Sequence, residues 1–299
     1  MRPDPLSDVV SLLKPRAYGF RGLDIAGAWS LHLPPERVIR CYALHSGACG
    51  LWLGNGEKVS LTAGDFVLLP HGDALVMGSA RDAPPIDLDV FFAMPDGETA
   101  VLAGGGECSG LGGYFELSGA AAPLLVHALP PVMRLEAGTD QGSLSSSVAQ
   151  LMGELRAPRP GGRLIAEHLT QTLLIQALRL HAASQQRRGE GWLAALADPQ
   201  LARSFEAIHG HPGNRWTLDG LARTAGMSRS GFARRFVETC GEPAMAYLTR
   251  WRMVLAADRL ARGERIGTIA AELGYGSESA FGAAFRRTMG VSPGRYSPR

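Results

Sequence analysis

Near the C-terminus, two short segments carry arginine, serine and alanine in an arrangement suited to hydrogen bonding with an anionic, base-bearing polymer. The first runs Ser228-Arg229-Ser230 and then Ala233-Arg234-Arg235; the second runs Ser277-Glu278-Ser279 and then Ala283 and Arg286-Arg287. A guanidinium is a planar fork of donors that matches the O6/N7 edge of guanine or a pair of phosphate oxygens. A serine hydroxyl bonds a base edge or a phosphate, and an alanine methyl can touch the methyl of thymine. This chemistry requires a rigid element that presents these side chains and buries their neighbours.

The elements are legible as a repeat. Leu221-Ala222, Gly226, Ser228, Phe232, Phe236, Gly241 and Tyr247 recur as Ile269-Ala270, Gly274, Ser277, Phe281, Phe285, Gly290 and Tyr296, with one extra residue in the second turn. Each central glycine stands where the chain must leave a helix with φ > 0, and the serine that follows is an N-cap for the next helix. The pattern predicts two helix-turn-helix units in series, the organisation of a chain that reads double-stranded DNA. With Phe232 at 0° and ~100° per residue, Phe236 falls near ~40° and Cys240 near ~80°, whereas Ser230 and Arg234 fall near ~160° and ~200°. Ser230 and Arg234 therefore point outward, Arg234 toward guanine, with Arg229 and Arg235 suited to flanking phosphates. In the second unit Phe281 and Phe285 face inward, Ser279 and Ala283 face the groove, and Arg286 and Arg287 can hold the DNA backbone. Ser228, Ala233, Ser277 and Glu278 complete the expected contact set. The halves are unequal: the first supplies most direct readout, the second anchoring and shape preference. Between them Ala244 to Arg262 reads as one helix without internal Gly or Pro, about 28 Å long, so that one chain can reach two adjacent major-groove segments.

Charge agrees with this division. Residues 1–189 hold 15 Lys+Arg and 18 Asp+Glu, 15 − 18 = −3, whereas residues 190–299 hold 15 Arg and 10 Asp+Glu, 15 − 10 = +5. No apolar run approaches the ~18 residues of a membrane span, the first residues lack a secretory h-region, and four dispersed cysteines do not make a disulfide scaffold. The expected setting is the cytoplasm, with no membrane partner.

Upstream, short strands succeed one another from Arg37 to Met77, with a hairpin at Asn55-Gly56 and a turn at Thr62-Ala63-Gly64-Asp65, and Tyr114 to Leu117 adds another; together they imply a β-barrel or sandwich. The glycines Gly104-Gly105-Gly106 precede no helix and read as turn chemistry. Leu144, Val148, Leu151, Met152 and Leu155 mark one amphipathic helix. A longer one, Arg163 to Gln186, carries two apolar groups, Ile165, Leu169, Leu173 and Leu180 on one side and Leu164, Leu174, Ile175 and Leu178 on another. The second group is the expected dimerisation stripe, or else a helix face buried inside its own domain. The polar stretch Gln185 to Gly191 is the expected linker, giving domains 1–187 and 191–299.

In the residues quoted for the repeat, together with Phe232-Ala233-Arg234-Arg235-Phe236, Arg250-Trp251-Arg252-Met253 and Gly290-Val291-Ser292-Pro293, the chain resembles the AraC/XylS family of bacterial transcription regulators. It departs at Ala244, where a proline is more usual. Tyr42 to Gly47 and Leu61 to Pro70 resemble the cupin-type sensor domains attached to such regulators, including a hypochlorite-responsive subgroup. The resemblance implies an α+β chain, a cupin-like β-barrel with a helical dimerisation segment followed by an all-α domain of two helix-turn-helix units. It further implies a homodimer on double-stranded promoter DNA that responds to a small-molecule effector or reactive species and contacts RNA polymerase, without a catalytic residue. His45 and His71 stand alone without an HxH pair, so neither a bound metal nor another cofactor is expected. Cys41 and Cys49, on neighbouring strands across a tight turn, join those histidines as candidate effector- or redox-sensing residues. The competing readings are a metal-dependent cupin enzyme fused to a DNA-binding domain, and an architectural protein whose barrel only dimerises.

Overall fold

The computed structural model describes residues 4–93, 98–138, 143–156, 159–185 and 191–296. The chain opens with α1 (Pro5–Ser11) and then builds β1 (Lys14–Ile25), β2 (Ser30–Leu33), β3 (Ile39–Ser46), β4 (Ala48–Leu53), β5 (Lys58–Thr62), β6 (Phe66–Leu69) and β7 (Leu75–Gly78). After α2 (Leu88–Ala93) come β8 (Thr99–Leu102), β9 (Cys108–Ser118), α3 (Ala121–Ala128) and β10 (Met133–Leu135), followed by α4 (Ser143–Arg156) and α5 (Gly162–Gln185). The remainder is helical: α6 (Trp192–Ala197), α7 (Pro199–Gly210), α8 (Leu218–Thr224), α9 (Arg229–Cys240), α10 (Ala244–Ala261), α11 (Ile266–Glu272) and α12 (Glu278–Met289), then a 3-10 turn at Pro293–Arg295. The mixed α+β class is as expected. No helix among the described residues is long and apolar enough to cross a membrane.

The strands form a six-stranded sheet in the order β10-β6-β3-β9-β1-β8 and a four-stranded sheet in the order β2-β7-β4-β5. Strands β10 and β6, β6 and β3, β3 and β9, β2 and β7, β7 and β4, and β4 and β5 pair antiparallel, whereas β1 pairs with β8 in parallel. Alternating side chains of both sheets meet in one apolar core that includes Trp29, Leu31, Leu44, Leu51, Leu61, Val67 and Met77. Two predicted turns are realised. Asn55-Gly56 closes the β4–β5 hairpin with Gly56 at φ +86° and the Gly56 N–H donating to the Leu53 carbonyl. In the second turn the buried Asp65 carboxylate accepts from the Thr62 and Ala137 N–H groups and from Arg134 at 2.9 Å. Burial alone raises the Asp65 pKa; these donors outweigh it and hold the carboxyl below its usual value.

The long helix corrects the expectation of two apolar stripes. Along α5, Ala166, Thr170, Leu173, Leu174, Ala177, Leu178 and His181 are buried and follow the i, i+4, i+7, i+8, i+11 spacing of a single face. Leu173 and Leu174 belong to different predicted groups, yet they are ~100° apart and flank one line of small residues, so both fit beneath the helix. Leu174 and Leu178 are therefore buried within the single chain and are not open to a second copy. Ile175 is half-buried, and Leu164 and Ile165 are exposed at the N-terminal end.

Packing also redraws the linear division into 1–187 and 191–299. One compact unit comprises Pro15–Leu117 and Leu129–His181; the other comprises Met1–Lys14, Ser118–Ala128 and Ala182–Arg299. Two helices from the first half of the chain thus join the helical unit. The reason is apolar burial: Val9 of α1 and Ala121, Ala122 and Leu125 of α3 are buried. Of the expected linker Gln185 to Gly191, residues 186–190 lie outside the described residues.

Candidate nucleic-acid interface and barrel cavity

Each repeat folds as a helix-turn-helix unit for the reasons legible in its residues. Gly226 (φ +68°) and Gly274 (φ +79°) end α8 and α11. The Ser228 Oγ accepts from the Gly231 N–H at 3.2 Å to cap α9, and the Ser277 Oγ accepts from the Ala280 N–H at 3.2 Å to cap α12. Gly241 and Gly290, both left-handed, close the same two helices. Phe232, Phe236, Phe281 and Phe285 are fully buried, so the helical wheels point as predicted.

The first unit rests on α7 through an aromatic cluster: Phe205 stacks on Phe236 at 5.2 Å, and His209 stacks on Trp251 at 4.1 Å. His209 also sits in a buried hydrogen-bond chain. The Trp192 indole N–H donates to the Tyr247 hydroxyl at 3.1 Å, and that hydroxyl lies 2.7 Å from His209 Nε2. His209 Nδ1 is 3.1 Å from Asp8 Oδ2 on α1. Burial pushes the His209 pKa below its usual value despite Asp8, so the ring is neutral. An indole can only donate, so the tyrosine proton goes to Nε2, and Nδ1–H donates to Asp8.

Outside this core the two reading helices present different surfaces. On α9, Arg229, Ser230 and Arg234 are exposed, and Arg234 has only a loose contact with Glu238 at 3.9 Å. On α12, Glu278, Ser279, Ala283, Arg286 and Arg287 are exposed, whereas Ala233 on α9 is half-buried. Arg235 also has a role within the fold. Its guanidinium, still partly exposed, is held by Asp198 and by Gln200 at 3.0 Å, which pins α9 to the start of α7.

A feature absent from the sequence reading fixes the spacing of the two units. The loop between α7 and α8 meets the second unit where two glycines allow it: a Cβ on Gly213 would lie 2.0 Å from the Glu272 carbonyl oxygen, and one on Gly274 would lie 2.2 Å from the Gly213 carbonyl oxygen. Arg252 of α10 locks the same junction by donating to the carbonyls of Pro212 (2.6 Å) and Asn214 (2.7 Å) while lying over the Tyr275 ring. The 18 residues of α10 span about 27 Å, so both reading helices are carried by one body.

In the β-rich unit, a cavity of about 450 Å³ lies between the sheets, lined by Trp29, Leu31, Leu61, Met77 and Phe91 among apolar groups and by Arg40, Tyr42 and Cys108 among polar ones.

Residues 4–183 match the Cupin family, and residues 221–299 match the Helix-turn-helix domain family. Over 296 residues the chain is 37% identical to an AraC-like transcription regulator of Streptomyces lividans, covering 98% of this chain and 97% of that protein. The chain belongs to the AraC-like family of transcription regulators. It is also 30% identical over 280 residues to the HTH-type transcriptional regulator AlkR of Acinetobacter baylyi, covering 90% of this chain and 91% of that one. A third relative, the RCS-specific HTH-type transcriptional activator RclR of Escherichia coli, is 30% identical over 299 residues, with 99% and 98% covered.

The regulator is thus a DNA-binding protein with an N-terminal cupin domain, and its barrel rearranges the expected sensing residues. Cys41 lies on β3 in the six-stranded sheet, opposite Leu68, whereas Cys49 lies on β4 in the four-stranded sheet, opposite Leu61. The corner at Gly47 carries the chain from one sheet to the other, so the pairing of Cys41 with Cys49 across a turn does not form. Cys49 is instead a neighbour of the Cys108 thiol at the start of β9, both being free and buried. Their mutual interaction lowers the Cys108 pKa and, with burial, raises that of Cys49, while burial raises Cys41. His45 and His71 are exposed, and neither lines the cavity between the sheets. No group of three or more metal-ligating side chains occurs among the described residues.

Proposed function

We propose that the regulator reads two successive major-groove segments of promoter DNA, α9 entering one and α12 the other. The observation that carries this reading is the outward face of α9. Arg234 is 78% exposed on the second helix of a well-capped unit, diametrically opposite the buried Phe232 and Phe236. In this reading Arg234 contacts guanine, and Ser230 contacts a neighbouring base edge. Arg229, Arg286 and Arg287 hold phosphates, Ser279 and Ala283 face bases in the second segment, and Ser228 and Ser277 keep their hydroxyl protons for the backbone. Comparison of Arg234→Ala with Arg287→Ala on a selected operator and on random DNA tests the assignment. Equal losses on both DNAs for both variants overturn it.

The barrel cavity is the effector site in this reading, its ~450 Å³ lying within the range of small-molecule pockets. The regulator works as a homodimer in the cytoplasm and contacts RNA polymerase, with no catalytic role. The surface available for the dimer contact is the exposed end of α5 with Leu164 and Ile165, supported by Ile175. Light scattering on Leu164→Glu/Ile165→Glu tests it: a soluble monomer supports this surface, and an unchanged dimer excludes it.

A further inference from the structure

The polar groups of the barrel cavity define the chemical class of the effector, on the reading just given that the effector binds there. Two arginines line the wall, and each already has an interaction within the protein. Arg40 is 4% exposed, and its guanidinium donates to the Asp73 carbonyl at 2.8 Å and to the Pro34 carbonyl, with the Glu36 carboxylate 3.4 Å away. It braces the segment after β2 against the loop after β6. A ligand carboxylate would have to break those bonds and would meet the Glu36 charge at the cavity wall. Arg21, half-buried on the same wall, likewise has an interaction of its own within the protein.

Tyr42 is placed differently. It faces Gly112 across the β3–β9 ladder, and a Cβ at Gly112 would lie 3.2 Å from two atoms of the tyrosine ring. The glycine thereby leaves room for one edge of the ring beside β9. The Tyr42 hydroxyl has no hydrogen-bond partner among the described residues, and the side chain lines the cavity. Burial keeps the phenol protonated, with Arg40 opposing, so the hydroxyl is a donor. The surrounding wall is hydrocarbon and aromatic, from Trp29 and Phe91 to Leu31, Leu61 and Met77.

We infer that the effector is an uncharged, mainly hydrocarbon molecule carrying one hydrogen-bond-accepting oxygen, such as a ketone or ester, which receives the proton of the Tyr42 hydroxyl. A carboxylate would have to draw a guanidinium from the interactions it already makes, whereas a single carbonyl finds a free donor.

The test uses the full chain and matched probes: 2-acetylnaphthalene against 2-naphthoate, 2-undecanone against decanoate, and naphthalene as the probe without an acceptor. Calorimetry and thermal shift at pH 7 should show the ketones binding at least about tenfold more tightly than the matching carboxylates. Tyr42→Phe, which keeps the ring on Gly112, should weaken the ketones about fivefold to tenfold and leave naphthalene unchanged. Met77→Trp, folded by its melting curve, should abolish binding of every probe by filling the cavity. Carboxylates that bind as well as the ketones, or ketones indifferent to Tyr42→Phe, overturn the proposed class while binding that Met77→Trp abolishes keeps the barrel as the site. If no probe binds, or if binding survives Met77→Trp, the barrel reading and the class fail together.

Discussion

The two helix-turn-helix units share one plan and differ in what fills it. The spacing that relates Gly226 to Gly274 also relates Phe205, Ile208 and His209 on α7 to Met253, Ala256 and Ala257 on α10, and all six are buried. The first unit therefore packs α9 onto a thick aromatic layer, and the second packs α12 onto a thinner layer with alanines in it. The turn glycines differ too. Around Gly226 the nearest atom to an added Cβ is an Arg203 side-chain nitrogen at 3.7 Å, whereas Gly274 has the Gly213 carbonyl oxygen at 2.2 Å. One glycine is needed for its backbone conformation alone; the other is also the floor of a contact between units. Equivalent sequence positions thus bear different loads once the units are joined.

The largest difference should appear at those glycines. Gly226→Ala should cost about 1–2 kcal/mol for a left-handed alanine. Gly274→Ala should cost about 2–5 kcal/mol, since about 1–3 kcal/mol of overpacking is added. Denaturant melts of both variants check this, and equal losses remove the asymmetry. Gly213→Ala sharpens it. Residue 213 is not left-handed, so the added methyl acts on the junction, where the Glu272 carbonyl must give way. Operators with one base pair inserted between the two segments should be rejected by the wild-type regulator and better tolerated by this variant in a gel-shift competition.

Next in size is readout. Arg234→Ala should weaken the cognate operator by about 1–3 kcal/mol with little loss on random DNA. Arg287→Ala should weaken all sequences alike and reduce the salt slope by about 1. A salt titration of both variants distinguishes a reading helix from an anchoring helix.

The smallest effect concerns pH and belongs to the first unit, because only its support helix carries a buried histidine at this position. The His209 pKa is lowered on folding, so the unfolded chain binds the extra proton first. The neutral ring's contribution is complete above the usual value of 6.5 and is lost as pH falls from there toward the folded value. Groups facing the ring are Asp8 on α1, which opposes the shift, and Tyr247 and Trp251 on α10. Stability should fall on acidification below pH 6.5 by at most about 1.4 kcal/mol per pH unit. His209→Gln, compared by melting at pH 7.5 and 5.5, should flatten that dependence.

What could be read from the residues follows range. The turn glycines, serine caps and phenylalanine faces of the repeat act over a few residues of chain, so local pattern was enough to locate both reading helices and to set Ser230 and Arg234 outward. The Asn55-Gly56 hairpin and the Asp65 turn are of the same kind. Long strands with little alternation, such as β1 and the glycine-rich start of β9, gave a weaker signal because their pairing partners lie far along the chain.

The sequence by itself determined an α+β chain with two capped helix-turn-helix units, since those features depend on periodicity and on which residue tolerates a given φ. Tertiary structure alone decided that Arg235 serves Asp198 and Gln200, that Cys49 meets Cys108, and that α1 packs with the helical unit. It also decided that Leu174 and Leu178 are spent inside the chain. An arginine, a thiol or an apolar stripe shows only what it is able to bind. Which neighbour it takes depends on distances set by the packing of segments far apart in sequence, where burial and charge pairing select one partner among several that the chain offers.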